Sequence, residues 1–243
     1  MKNQDLFLFC GGQAVDSAGG PKPLMKIAED KSLIQYYLEH LDKGKNTPNR
    51  VTLLCDYGQK KEFTTDLGAL KFSYSIEILE SNEGSSTFDK LLIALETRDG
   101  ESEFLHFSYP DIFFFGDSPI PNGADSFFND GVAISVATLT SRFPRLVVDI
   151  YGNNIKGISD HTSLMPANPL HVFGGDLWAR KSILRQLIRE FLQNNTTYKP
   201  SLEYDLFFWL VNQARVRSLM MYGDWLLVDS ARDIRRLIDR LSC

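Results

Sequence analysis

The chain has 243 residues, 43% of them hydrophobic, and a formal net charge of -5 from 26 basic and 31 acidic side chains. Those values suit one α/β domain with a sizeable core and exclude a disordered or fibrous chain. The acidic balance also argues against non-specific nucleic-acid binding, which needs surplus positive charge to displace counterions.

Residues 6–10 form a continuous apolar run that ends in Gly11-Gly12, the pattern of a buried strand entering a tight turn. Residues 13–23 read as a loop closing on Pro21-Lys22-Pro23. A helix over 30–41 follows from Leu33, Ile34, Tyr37, Leu38 and Leu41, with Gly44 as its stop. Strands are expected at 51–55 and 76–79, with a helix around 60–68 between them. Ser86 opens a further helix whose apolar face is Phe88, Leu91, Leu92 and Leu95, and Asp89 adds negative charge to its first turn. A strand over 104–109 ends at Pro110-Asp111. Repeated strand–helix units predict a mixed, mostly parallel sheet flanked by helices.

The second half is less regular. Residues 132–138 and 146–151 read as strands, with a turn at 152–154 and a return at 155–158 as a hairpin. A strand over 170–173 meets Gly174-Gly175, and helices follow at 181–193 and 202–214. The chain then predicts a strand pair, 216–221 with 225–228. A last helix follows, opened by Ser230 and Asp233 and buried along Ile234, Leu237, Ile238 and Leu241.

Candidate chemistry lies at the strand ends. Gly11 and Gly12, followed by Gln13, offer bare backbone amides that can hold phosphate oxygens, and Lys22 is a cation stiffened by two prolines. Neither GxxxxGK[ST] nor GxGxxG is present. Asp111 and Asp229 could meet over the sheet edge and share one Mg²⁺, or each could be a turn or cap residue, and Asp117 competes with Asp111. Gly84 and Ser85 could border a base or ribose, or simply lead into a helix cap. The four histidines have no metal-ligand spacing, GxSxG and HExxH are absent, and Arg232, Arg235, Arg236 and Arg240 read as a solvated face. Cys10, Cys55 and Cys243 are far apart and form no CxxC pair, which fits a reducing, cytoplasmic setting. The N-terminal apolar run is too short for a signal peptide. No stretch approaches the roughly 20 apolar residues of a membrane span.

Taken in order, the segments FLFCGG (7–12), PKPLMKI (21–27), NEGSSTFDKLLIAL (82–95), FLHFSYPDIFF (104–114), FGGDLW (173–178), SLEYDLF (201–207) and DWLLVDSARDI (224–234) resemble the sugar-phosphate nucleotidyltransferases. That resemblance implies one Rossmann-like domain over 1–243, with a nucleotide-binding half (1–130) and a sugar-binding half (131–243). It implies transfer of a nucleoside monophosphate from a triphosphate to a sugar 1-phosphate or similar small phosphate, with Mg²⁺ and release of pyrophosphate. Gly11, Gly12 and Gln13 would meet the triphosphate and Lys22 would neutralise it. Gly84 and Ser85 would border the base, Asp111 and Asp229 would bind Mg²⁺, and Gly175 and Glu203 would face the sugar. Lys22 and Asp111 would carry the catalysis, and no protein nucleophile is needed. The loop departs from the family's GGxGxR: residues 13–20 hold no arginine and include Asp16, and Lys26 is the cation expected to substitute. The family's E-K-P segment is also missing from 158–169. These departures keep a second expectation open, a non-catalytic nucleotide-binding relative or partner subunit. A glycosyltransferase would call for Asp-x-Asp after a strand, which does not occur, and exposed aromatics would allow a homodimer.

Overall fold

The computed structural model describes residues 4–11, 20–28, 30–44, 47–97, 102–116, 128–137, 145–148, 155–159, 171–196, 198–221 and 223–241. The first half runs β1 (Gln4–Phe9), a 3-10 turn (Lys22–Leu24), β2 (Lys26–Ala28), β3 (Lys31–Ser32), α1 (Leu33–Asp42), β4 (Arg50–Cys55), α2 (Lys60–Leu67), β5 (Ser75–Glu80), α3 (Thr87–Glu96), β6 (Phe104–Ser108) and β7 (Ile112–Gly116). The second half runs β8 (Val132–Ala137), β9 (Arg145–Val148), β10 (Ile155–Ser159), β11 (His171–Arg180), α4 (Lys181–Asn194), a π-helical turn (Leu202–Leu206), α5 (Phe207–Asn212), β12 (Val216–Met220), β13 (Gly223–Leu227) and α6 (Ala231–Leu241).

The main sheet is mixed, in the order β10-β9-β11-β6-β1-β4-β5, with β8 also on β11 and β12 on β8. From β6 to β5 every pairing is parallel, so β1, β4 and β6 end at one rim. The apolar run of β1 is buried on both faces, as an inner parallel strand must be. Phe7 and Phe9 point to one side, where Phe107 stacks on them at 5.1 and 5.8 Å and α3, α4 and α5 complete the layer through Phe88, Leu187 and Phe207. Leu6, Leu8 and Cys10 point to the other, against Leu38 of α1, Phe63 of α2 and Leu237 of α6. The hairpin of β9 and β10 is antiparallel; its turn at 152–154 lies outside the described residues.

Three local expectations change, and one strand is added. The segment after Asp111 is a strand, β7, which pairs antiparallel with β13 in a separate two-stranded ribbon. The expected terminal pair does not form: β12 joins β8 in parallel, because each apolar strand finds a buried partner elsewhere that a short connection cannot specify. Gly174-Gly175 does not end the preceding strand. β11 bulges there, shifting register between Phe173 and Leu177, and then pairs with β6 through Arg180. The helix expected at 202–214 opens as the π-helical turn, with α5 following it.

Candidate active site

The rim begins where β1 runs into Cys10 and Gly11, with the Cys10 amide donating to the Leu54 carbonyl of β4 at 3.0 Å. Burial, first of all, pushes the Cys10 thiol well above its usual pKa, so it stays protonated and is no nucleophile. Gly12, Gln13, Asp16 and Asp117 lie outside the described residues.

Lys22 stands in the 3-10 turn, and Pro21 presets the extended backbone before it. Its Nζ lies 2.5 Å from Asp111 Oδ2 and 2.5 Å from Asp229 Oδ1. The two acids come from distant parts of the chain, and the β7–β13 ribbon unites them. Its ladder continues through the Val228 amide, which donates to the Asp111 carbonyl at 2.8 Å, so Asp229 follows directly beside Asp111. Ser230 and Asp233 then cap α6, fixing the chain just beyond Asp229. All three charged side chains are only partly shielded, at 21%, 20% and 16% exposure for Lys22, Asp111 and Asp229. Burial opposes the charge on Lys22, but the carboxylates of Asp111 and Asp229 outweigh it and hold the ammonium above its ordinary pKa. Burial, aided by neighbouring Asp229, raises the Asp111 carboxyl despite Lys22.

Gly84 turns at φ +71° just before α3, and the Ser85 amide donates to the Asn82 carbonyl at 3.2 Å. Ser86 and Asp89 form a full capping box on α3. Glu203, in the π-helical turn, accepts hydrogen bonds from Thr87 Oγ1 at 3.2 Å and from the Tyr109 hydroxyl. The turn is thereby tied to the start of α3 and the end of β6. Burial and the Glu203 carboxylate push the Tyr109 phenol well above its ordinary value, so it remains a donor. Gly175 sits at the β11 bulge with φ +99°, and a Cβ there would lie 2.2 Å from Ile112 Cδ1, on the residue after Asp111. Trp225 of β13 donates its indole N–H to the Gly174 carbonyl at 2.8 Å. The bulge and the acid-bearing ribbon are therefore packed together.

Lys26, the candidate stand-in for the missing arginine, opens β2. It pairs with Asp66 of α2 at 2.6 Å, with its side chain 53% exposed. A cation that the sequence hides is Lys90 of α3, which is 3% exposed and lies 2.5 Å from Asp56 at the end of β4. Among the described residues no three His, Cys, Asp or Glu side chains gather as a metal cluster, and no helix is long and apolar enough to cross a membrane.

No family model matches the chain and no curated protein matches it. Solved structures do. HddC from Yersinia pseudotuberculosis superposes with a TM-score of 0.70 at 15% identity, covering 98% of this chain and 99% of that one. The inositol-1-phosphate CTP transferase from T. maritima gives 0.69 at 16%, covering 99% and 96%. The UTP-bound UGPase from Acinetobacter baumannii gives 0.72 at 14%, covering 99% and 93%. The chain has the nucleotidyltransferase-like α/β fold. The resemblance read from the seven segments is met as a nucleotidyltransferase-like architecture spanning nearly the whole chain.

Proposed function

We propose that the chain is a nucleotidyltransferase that transfers a nucleoside monophosphate from a triphosphate to a sugar 1-phosphate or similar small phosphate. Residues 1–130 would hold the nucleotide and 131–243 the acceptor. The observation that carries this reading is the meeting of Lys22, Asp111 and Asp229 at the rim that Gly11 also borders. A phosphate oxygen of the acceptor attacks the α-phosphorus in line. The bond from that phosphorus to the bridging oxygen breaks, and pyrophosphate leaves with the electron pair. The protein's task is positioning and charge neutralisation. The amide of Gly11 and the Lys22 ammonium receive the phosphates, Gly84 and Ser85 edge the base, and Glu203, held by Tyr109 and Thr87, orients acceptor hydroxyls.

Mg²⁺ fits this site. Asp111 and Asp229 aim carboxylate oxygens at one point, where Lys22 stands, and Mg²⁺ typically binds through one or two carboxylates plus waters and substrate phosphates. When bound it would neutralise the charge that develops on the phosphate oxygens. Lys22 is then free to turn toward the phosphates.

The test is a coupled pyrophosphate assay with ATP, CTP, GTP and UTP against a set of sugar 1-phosphates, with and without Mg²⁺. The expected result is metal-dependent release with at least one pair. Tight nucleotide binding by calorimetry, without release for any pair, would replace this reading with that of a non-catalytic nucleotide-binding relative.

A further inference from the structure

We propose that Lys199 reads the base of the nucleotide, and that it selects a base with a keto oxygen, uracil or guanine, over its amino counterpart, cytosine or adenine. This rests on the nucleotidyltransferase reading and deepens it by naming the nucleotide class. In that reading the base edge is the turn between β5 and α3, where Gly84 stands exposed at φ +71°. A Cβ built on Gly84 would lie 3.8 Å from Lys199 Nζ. Among the described residues, Glu83 and Ser85 aside, no other atom comes within 4 Å of that point. The turn therefore offers a bare backbone surface with one ammonium at its border. A flat ring has room to lie there, and its edge meets the Nζ.

Lys199 is exposed, but its backbone is anchored. Pro200 is buried and biases the residue before it to extended backbone. The Pro200 carbonyl accepts from Ser86 Oγ at 3.3 Å, which ties this segment to the start of α3. Ser201 then caps the π-helical turn, accepting from the Tyr204 and Asp205 amides. The acids of these two segments already have donors. Asp89 accepts from the Ser86 amide and hydroxyl at 2.7 and 2.9 Å, and Asp205 from the Ser201 amide and hydroxyl at 2.6 and 2.8 Å. Glu203 accepts from Thr87 and Tyr109. Among the described residues no carboxylate pairs with Lys199, Glu83 beside Gly84 included. The ammonium thus keeps its donors for a ligand. It has three N–H donors and no acceptor. A keto oxygen answers it, as guanine O6 answers lysine in nucleic-acid recognition, whereas an exocyclic amino group turns a donor toward a donor.

Calorimetry on the full chain with UTP, CTP, GTP and ATP tests this. UTP and CTP carry the same phosphates, as do GTP and ATP, so a difference within either pair reports on the base alone. In the ring size the site prefers, wild type is expected to bind the keto nucleotide tighter on the order of tenfold, the scale of one hydrogen bond to a charged group. Lys199→Met should weaken that nucleotide by the same factor and leave its amino counterpart unchanged. Lys199→Glu, which offers an acceptor instead, should turn the preference toward the amino base. Wild type without a keto preference overturns the assignment, and so does a preference that survives in Lys199→Met. Equal weakening of all four nucleotides in Lys199→Met would move the lysine to the phosphates and overturns its role at the base. If Lys199→Met fails to fold, the wild-type preference and the sign of the Lys199→Glu effect decide. A wild-type chain that binds none of the four triphosphates overturns the parent reading of the site, whereas binding without base discrimination overturns only the role of Lys199.

Discussion

At the ends of β1, β4 and β6 the rim is made of charge: Lys22 between two carboxylates, and Lys90 against Asp56. At β11 and the π-helical turn it is made of shape: a bulged strand with a glycine at positive φ, and one carboxylate held by a phenol and a hydroxyl. The two charge clusters also differ from each other. Lys90 and Asp56 balance, while Lys22 with Asp111 and Asp229 leaves one negative charge over. A balanced pair suits a permanent fixture, and a surplus anion suits a site that gains a cation. Charge at the first rim should therefore be separable from folding, and shape at the second should not.

The largest effect that would break this contrast lies at the acids. Asp111→Asn or Asp229→Asn is expected to lower pyrophosphate release on the order of a thousandfold, comparable to losing a main electrostatic group at a reacting phosphate. The melting temperature should stay level or rise, because each change relieves repulsion between two carboxylates that share one ammonium. A large loss of stability together with activity would show that the acids are structural pillars and the contrast is false.

Gly175→Ala probes the shape side. The residue would be forced to keep φ +99° and to place a methyl 2.2 Å from Ile112 Cδ1. Backbone strain and overpacking together should cost about 2–4 kcal/mol, or roughly 5–15 °C in melting temperature. Relaxation would push Ile112, and with it Asp111, so activity should fall along with stability. A variant that melts like wild type would mean that the bulge tolerates a side chain.

Glu203→Gln sharpens the comparison, because it changes charge within the shape-built rim. Glutamine keeps the length; its carbonyl oxygen can accept from the Tyr109 hydroxyl while its amide N–H donates to Thr87 Oγ1. We expect KM for the acceptor to rise about tenfold, the loss of one charge-assisted hydrogen bond, with the nucleotide Kd unchanged. Weakened nucleotide binding instead would move Glu203 to the other half of the site.

The strand–helix order of the first half was legible because it depends on local pattern. An apolar run before Gly11-Gly12 and a lysine between prolines are visible without any partner. Asp111 and Asp229 were legible only as acids at strand ends. Their meeting depends on β7 pairing with β13, and the phenylalanine run after Asp111 carries no signal that names a distant strand. Lys90 was lost for a different reason. A lysine beside an apolar helical stripe ordinarily snorkels to water, and its burial is decided by an absent side chain at Gly11, far away in sequence. Gly174-Gly175 misled because glycine pairs mark both chain turns and bulges, and only the β6 edge waiting beyond them selects the bulge.

The smallest expected effect concerns the fastening of the acid-bearing ribbon to α1. His40 near the end of α1 reaches β7, with Nε2 3.0 Å from the Phe114 carbonyl and its ring 4.9 Å from Phe115 and 5.8 Å from Phe113. Burial first, and Lys43 second, lower its pKa below the ordinary 6.5, although the bond to the carbonyl pulls the other way. The sign follows from linkage. Below 6.5 the unfolded chain takes up a proton that the folded chain resists, so stability is lost as pH falls through that window toward the lowered folded value. The protonated ring still donates to Phe114, so the contact survives and the cost felt is that of a buried charge near Lys43. Wild type should lose a few degrees at most in melting temperature between about pH 7.5 and 5.5, a range set by the histidine titration. His40→Gln should lose less over the same range while melting lower at neutral pH. Identical pH slopes for the two proteins would show that the ribbon does not feel His40, and that its register rests on β13 alone.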